Sequence, residues 1–124
     1  MHMLDNLRIV AIDDTPSILT FLRAAFEALG ARMHEAMTAA DGLALCNGLH
    51  PDVVVLDLGL PDEDGLSLLP RIKQTAGAAG IAPLVVVLTV RSEQIYRDQA
   101  VAQGADAYIT KPFPPGAAGG RSTG

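Results

Sequence analysis

The chain lacks, or has little of, several sequence features that would indicate other classes of protein. Its one cysteine, Cys46, excludes an internal disulfide and fits a reducing compartment. The 9 Lys and Arg residues form no cluster, and they are outnumbered by 14 Asp and Glu residues. Both observations argue against direct binding of nucleic acid. No apolar run approaches the roughly 18 residues that cross a bilayer, and the N-terminus lacks the apolar segment of a signal peptide. We expect a cytoplasmic protein without a membrane partner.

What is present is the composition of a folded domain. Hydrophobic residues make up 49% of the 124 residues and charged residues 19%. A chain of this length holds one domain with one core. We place that domain at residues 1–113 and interpret residues 114–124, rich in glycine and proline, as a disordered tail.

Short apolar segments alternate with helical ones along this domain. Because strands that alternate with helices form βαβ crossovers, the pattern predicts a parallel sheet with helices on both faces. Uniformly apolar strands are typical of such sheets, which are buried on both sides. The predicted fold class is therefore α/β, doubly wound. The predicted strands are residues 8–12, 32–36, 53–56, 84–89 and 107–110.

Polar residues of the capping type predict where the helices begin. Thr15, Thr38 and Ser92 each precede a helical pattern and are interpreted as N-caps. A further helix is predicted over residues 65–75, where Pro70 indicates a kink.

Polar side chains follow four of the predicted strands at their carboxyl ends. Asp13 and Asp14 follow the first strand, Asp57 the third, Thr89 ends the fourth and Lys111 follows the fifth. In doubly wound folds ligands gather at this edge of the sheet. Mutual repulsion among the carboxylates would be costly without a cation, and carboxylate oxygens are ligands that Mg²⁺ prefers. The sequence therefore predicts a magnesium site at this edge.

Four motifs together resemble the receiver domain of two-component response regulators, the CheY-like family. They read IDDTPSI, VVVLDLGLPDEDGLSLL, VVVLT and GADAYITKPF, and the match runs from about Leu7 to Phe113. The resemblance implies a five-stranded sheet in the flavodoxin-like order 2-1-3-4-5. It also implies a domain that takes a phosphoryl group from a sensor histidine kinase or phosphotransfer protein, and that catalyses only its own phosphorylation and dephosphorylation.

The resemblance implies a role for each acidic site residue. Asp57 would be the phosphoacceptor and would form an acyl phosphate. Asp13 and Asp14 would hold Mg²⁺ together with Asp57 and the backbone carbonyl of Gly59.

The same resemblance assigns the remaining site residues. Lys111 would pair with the phosphoryl oxygens, and Thr89 would hydrogen-bond one of them. Tyr108 would be the switch aromatic that turns inward when Thr89 moves toward the phosphoryl group. The Lys111–Pro112 bond would be a cis peptide, which is accessible because it precedes proline.

Other interpretations of the acidic segment fit less well. A Ca²⁺ loop centred on Gly65 would need ligands at Leu60 and Arg71. A phosphatase of the HAD class would need an aspartate where Gly59 stands. We interpret the acids at 62–64 as a solvated turn.

Two departures from the family pattern matter. The residue after the switch threonine is usually Ala or Gly, and Val90 is expected to crowd the approach to Asp57. After Phe113 the segment PPGAAGGRSTG is a poor helix former, so the family's last helix is expected to be missing or replaced. We then expect either a homodimer that covers the gap or a chain that is a piece of a longer regulator. The alternative function is a receiver fold used as an interaction or dimerisation module, with phosphorylation slow or unused.

Overall fold

A computed structural model describes residues 3–75 and 80–111 of the chain. Within these ranges five strands alternate with four helices. The elements are β1 (Arg8–Ile12), α1 (Pro16–Ala28), β2 (Arg32–Ala36), α2 (Ala39–Leu49), β3 (Val53–Leu56), α3 (Gly65–Lys73), β4 (Leu84–Thr89), α4 (Gln94–Ala102) and β5 (Ala107–Thr110).

The strands form one parallel sheet in the order β2-β1-β3-β4-β5, as predicted. Successive side chains of a strand point to opposite faces, so each central strand contributes to two cores. Val10 and Ile12 of β1 lie in the core beneath α2, α3 and α4. Ile9 and Ala11 lie in the core beneath α1. Helices on both faces confirm the doubly wound architecture.

The predicted helix starts are confirmed for two helices and wrong for a third. Thr15 precedes α1, and the Thr38 hydroxyl accepts a hydrogen bond from the Asp41 amide at the start of α2. The N-cap of α4 is Glu93 and not Ser92. The Glu93 side chain makes no capping hydrogen bond, so α4 begins without a side-chain N-cap.

Helix α3 continues through Pro70 and ends at Lys73, two residues before the predicted end. Proline has no backbone N–H, so the Leu66 carbonyl accepts no intrahelical hydrogen bond from position 70. The Thr75 hydroxyl donates to the Ile72 carbonyl just beyond the helix, at 2.6 Å.

Cys46 lies fully buried in α2 as a core residue. Burial raises the pKa of its thiol to about 11, so the residue packs as a small apolar side chain.

Several predictions fall outside the described residues. These are the cis Lys111–Pro112 peptide, the tail at 114–124 and the replacement of the last helix. Among the helices that the structure describes, none is long and apolar enough to cross a membrane.

Candidate functional site

The sheet itself positions the predicted site residues, because its hydrogen bonding continues past the strand ends. The Asp13 amide nitrogen lies 3.0 Å from a carbonyl oxygen of β2, and the Asp57 amide nitrogen lies 2.9 Å from one of β1. The Lys111 amide donates to the Thr89 carbonyl at 2.7 Å. Each of these backbones is thus fixed by a neighbouring strand, and four strand ends meet at one edge as the sequence predicted.

Lys111 joins the two buried carboxylates of the site. Its Nζ lies 2.7 Å from Asp13 Oδ2 and 3.3 Å from Asp57 Oδ2. Asp13 is 2% exposed and Asp57 7%, so neither charge is well solvated. Buried charges persist only when they are paired and hydrogen-bonded, and here one ammonium group serves both carboxylates.

Negative charge still exceeds positive charge in this cluster. Carboxylate oxygens of Asp13, Asp14 and Asp57 lie within 4.8 Å of one another. Burial raises the pKa of Asp13, an effect opposed by the hydrogen bonds that its carboxylate accepts from Lys111 and the Thr15 amide. Three hard oxygen donors around one point, one of them on the exposed Asp14, fit a partly hydrated Mg²⁺.

The Asp57 carboxylate is oriented through both of its oxygens. Oδ1 accepts a hydrogen bond from the Gly59 amide at 3.2 Å, while Oδ2 faces Lys111. The carboxylate is therefore held between the loop that follows β3 and the ammonium group after β5. The predicted ligand role of the Gly59 carbonyl stays a prediction.

The two predicted switch residues meet at Arg91. Thr89 is fully buried, and its Oγ1 accepts a hydrogen bond from the Arg91 amide at 3.4 Å. The Tyr108 hydroxyl donates to the Arg91 carbonyl at 2.6 Å. The Tyr108 ring packs against the core beneath α4, with the Arg97 guanidinium 4.7 Å from its centroid. Tyr108 is therefore turned inward, and burial raises its pKa.

Asp62 and Asp64 are exposed, as the prediction of a solvated turn requires, but each of the acids at 62–64 also has a defined partner. The Asp62 carboxylate accepts hydrogen bonds from two amides at the start of α2, which lower its pKa. Glu63 binds Arg71 at 2.8 Å. Asp64 caps α3 and also binds Arg91. The Asp64 cap could be found from local sequence, since aspartate is a favoured N-cap, but the contacts with α2, Arg71 and Arg91 could not.

Comparison with known families agrees with this geometry. A family model described as the response regulator receiver domain matches residues 9–118. The chain therefore belongs to the response regulator receiver family.

Curated relatives are transcriptional regulators. The KDP operon transcriptional regulatory protein KdpE of Escherichia coli K12 is 38% identical over 105 residues, which are 85% of this chain and 44% of that protein. The transcriptional regulatory protein PhoP of the same strain is 32% identical over 86% of this chain and 46% of its own length. The chain thus spans less than half the length of these relatives.

Solved receiver domains share the fold. A CheY-like receiver domain protein from Methanospirillum hungatei JF-1 aligns with a TM-score of 0.78 at 28% identity, covering 88% of this chain and 84% of its own. A Burkholderia pseudomallei response regulator, solved with a phosphorylated aspartic acid and a calcium ion, aligns with a TM-score of 0.79 at 26% identity. That alignment covers 87% of this chain and 61% of the other.

Gly65 places the start of α3 directly against the backbone of the segment that carries Asp57. A Cβ atom there would lie 2.7 Å from the Asp57 carbonyl oxygen and 2.7 Å from Leu58 Cα. Since both atoms belong to the backbone, Gly65→Ala should displace the segment that carries Asp57. We expect a loss of about 1–3 kcal/mol in the free energy of unfolding, the usual cost of overpacking, measured by urea titration.

Gly48 provides the matched control. A Cβ there would meet nothing within 4 Å, so Gly48→Ala in α2 should stabilise the domain by about 0.5–1 kcal/mol. Equal unfolding free energies for the two variants would contradict the close approach at Gly65.

Proposed function

We propose that this domain receives a phosphoryl group on Asp57 from a sensor histidine kinase or phosphotransfer protein and uses it to switch a partner or output. The observation that carries this proposal is the Asp57 carboxylate, held between the Lys111 ammonium and a cluster of carboxylates that suits Mg²⁺. The phosphorylated aspartic acid in the Burkholderia pseudomallei relative supports it.

The proposed reaction forms an acyl phosphate. A carboxylate oxygen of Asp57 attacks the phosphorus of a phosphohistidine, a P–O bond forms, and the P–N bond breaks. The electron pair of that bond stays on the imidazole nitrogen, which takes up a proton. Hydrolysis of the acyl phosphate by water later restores the carboxylate and releases phosphate.

Most of the catalysis in such a transfer is positioning and charge stabilisation. Lys111 already lies within hydrogen-bond reach of Asp57 and would meet the phosphoryl oxygens as they arrive. Mg²⁺ held by Asp13, Asp14 and Asp57 would supply the positive charge that the carboxylates leave unbalanced. The Thr89 hydroxyl would exchange its long contact with the Arg91 amide for a hydrogen bond to a phosphoryl oxygen.

Incubation with acetyl phosphate and Mg²⁺ tests the assignment of Asp57 directly. Intact-mass spectrometry should show one added phosphoryl group on the natural chain and none on Asp57→Asn. Lys111→Met should slow phosphorylation by about 10²–10³, the loss seen when one stabilising donor is removed.

Asp41→Asn is the matched control, because Asp41 is an exposed carboxylate on α2 and should leave the phosphorylation rate unchanged. Phosphorylation of Asp57→Asn at the natural rate would contradict the assignment. Multiple turnover on small phosphate esters would instead identify a phosphatase.

Val90 is proposed to limit access to the acyl phosphate. It directly follows Thr89 and is 70% exposed, so its methyl groups lie at the surface of the carboxyl edge. Val90→Ala should therefore raise the dephosphorylation rate severalfold, as followed by loss of the phosphorylated mass after removal of acetyl phosphate. Val101→Ala, which shortens an exposed valine on α4, is the control, and an unchanged rate in Val90→Ala would refute the role.

A second candidate function, an interaction or dimerisation module, is favoured by an apolar surface at the β5 edge of the sheet. Leu84 is 54% exposed and Ile109 49%. Ile109 pairs with Leu88, which belongs to the core on the α1 side. A second copy of the chain that packs on this surface would bury both side chains.

Light scattering decides whether the homodimer exists. We expect a dimer for the natural chain and a monomer for Ile109→Glu, since burying the new carboxylate would be costly. Met37→Glu, at an exposed position after the opposite edge strand, should remain dimeric. A folded monomer of the natural chain would exclude the dimer.

A further inference from the structure

Arg91 contacts both predicted switch residues through its backbone. Its amide nitrogen lies 3.4 Å from Thr89 Oγ1, and its carbonyl oxygen lies 2.6 Å from the Tyr108 hydroxyl. Neither contact depends on the identity of the side chain at position 91. Both depend on where the loop after β4 places this backbone.

The Arg91 side chain anchors that loop. Its Nη1 lies 3.0 and 3.1 Å from the two carboxylate oxygens of Asp64, and its guanidinium carbon lies 5.1 Å from the centroid of the Tyr96 ring. Asp64 is itself fixed, because its Oδ1 accepts a hydrogen bond from the Leu66 amide at the start of α3. One side chain therefore ties the loop after β4 to α3 and α4.

The contacts of Arg91 with Asp64, Tyr96 and the Tyr108 hydroxyl exist while the Tyr108 ring packs against the core. Contacts that are made in one conformation and lost in another shift the population toward the first. In the switch that the proposed function invokes, the inward position of Tyr108 belongs to the phosphorylated state. The anchor accordingly favours that state even with no phosphoryl group on Asp57.

We propose that Arg91 is a positioning residue that, held by Asp64 and Tyr96, keeps Tyr108 turned inward before phosphorylation and biases the domain toward its phosphorylated conformation. The proposed bias toward the phosphorylated conformation rests on the proposed function of Asp57. The part that concerns the position of Tyr108 does not, since it applies to the free protein.

The first experiment follows the Tyr108 ring in protein that has neither Mg²⁺ nor a phosphoryl donor. With ring-labelled tyrosine, nuclear Overhauser effects from Tyr108 to core methyl groups beneath α4 should be strong in the natural chain. They should weaken in Arg91→Ala and in Asp64→Asn. The asparagine still offers an oxygen to cap α3, so the second variant removes the charge and keeps the helix start.

Arg71→Gln is the matched control. It breaks another exposed ion pair, Arg71–Glu63, on the same helix, and Arg71 contacts neither Thr89 nor Tyr108 among the hydrogen bonds described. The Tyr108 ring signals should therefore match those of the natural chain. Unchanged ring contacts in Arg91→Ala and Asp64→Asn would overturn the proposal.

The second experiment measures the affinity for beryllofluoride, a phosphoryl analogue, in the presence of Mg²⁺. Arg91→Ala and Asp64→Asn should bind it more weakly by about two- to fivefold, the range that one exposed ion pair supports. Arg91→Lys keeps the charge that faces Asp64 but loses the planar guanidinium that lies over the Tyr96 ring, so it should restore part of the affinity. The double variant should be no weaker than Arg91→Ala alone, because both changes break one contact.

The two readouts separate failure of this proposal from failure of the proposed function. Absence of beryllofluoride binding in every protein, the natural chain included, would refute the function of Asp57, and the ring contacts would still decide the role of Arg91. Binding that is equal in the natural chain and in all variants would refute the bias toward the phosphorylated state.

Discussion

The structure depends on one constraint, which is that two buried carboxylates share a single ammonium group at the carboxyl edge of a parallel sheet. Asp13 and Asp57 both face Lys111, and each backbone is fixed by a hydrogen bond to the neighbouring strand. Because buried charge is tolerated only with well-placed partners, the sheet register and the charge pairing support one another. With Asp14 beside them, the three carboxylates outnumber the one cation, and this charge balance suits the Mg²⁺ and the phosphoryl group of the proposed function.

The carboxyl edge of the sheet also brings Asp57 close to the loop after β4, which contacts Tyr108. Thr89 ends the strand beside Asp57, and the loop that follows it carries the backbone to which Tyr108 is bonded. A phosphoryl group on Asp57 would add negative charge and hydrogen-bond acceptors next to the buried Thr89 hydroxyl. Any movement of that hydroxyl must be accommodated by the loop that Arg91 anchors to Asp64. In the proposed switch, the added charge on Asp57 would shift this loop between two positions.

The sequence predicted the strands and the main site residues because both follow from simple patterns. Buried parallel strands are apolar throughout, and their carboxyl ends meet at one edge, so Asp57 and Lys111 could be placed together despite their separation in the chain. The partners of Asp62 and Arg91 could not be predicted, since they depend on how α2 and α3 dock in space. Ser92 was wrongly chosen as a cap from the capping preference of serine alone, whereas α4 begins one residue later, after Glu93. The sharing of Lys111 between Asp13 and Asp57 likewise emerged only from distances and burial.

The most direct test of the central claim is the stabilisation of the domain by Mg²⁺, measured as the unfolding free energy against Mg²⁺ concentration. If the carboxylates hold the cation, Mg²⁺ at about 100 times its dissociation constant should stabilise the natural chain by about 2.7 kcal/mol. Asp14→Asn, which removes the exposed carboxylate of the three, should lose most of this effect and leave the metal-free stability nearly unchanged. Equal stabilisation of both proteins, or no stabilisation of either, would contradict the account.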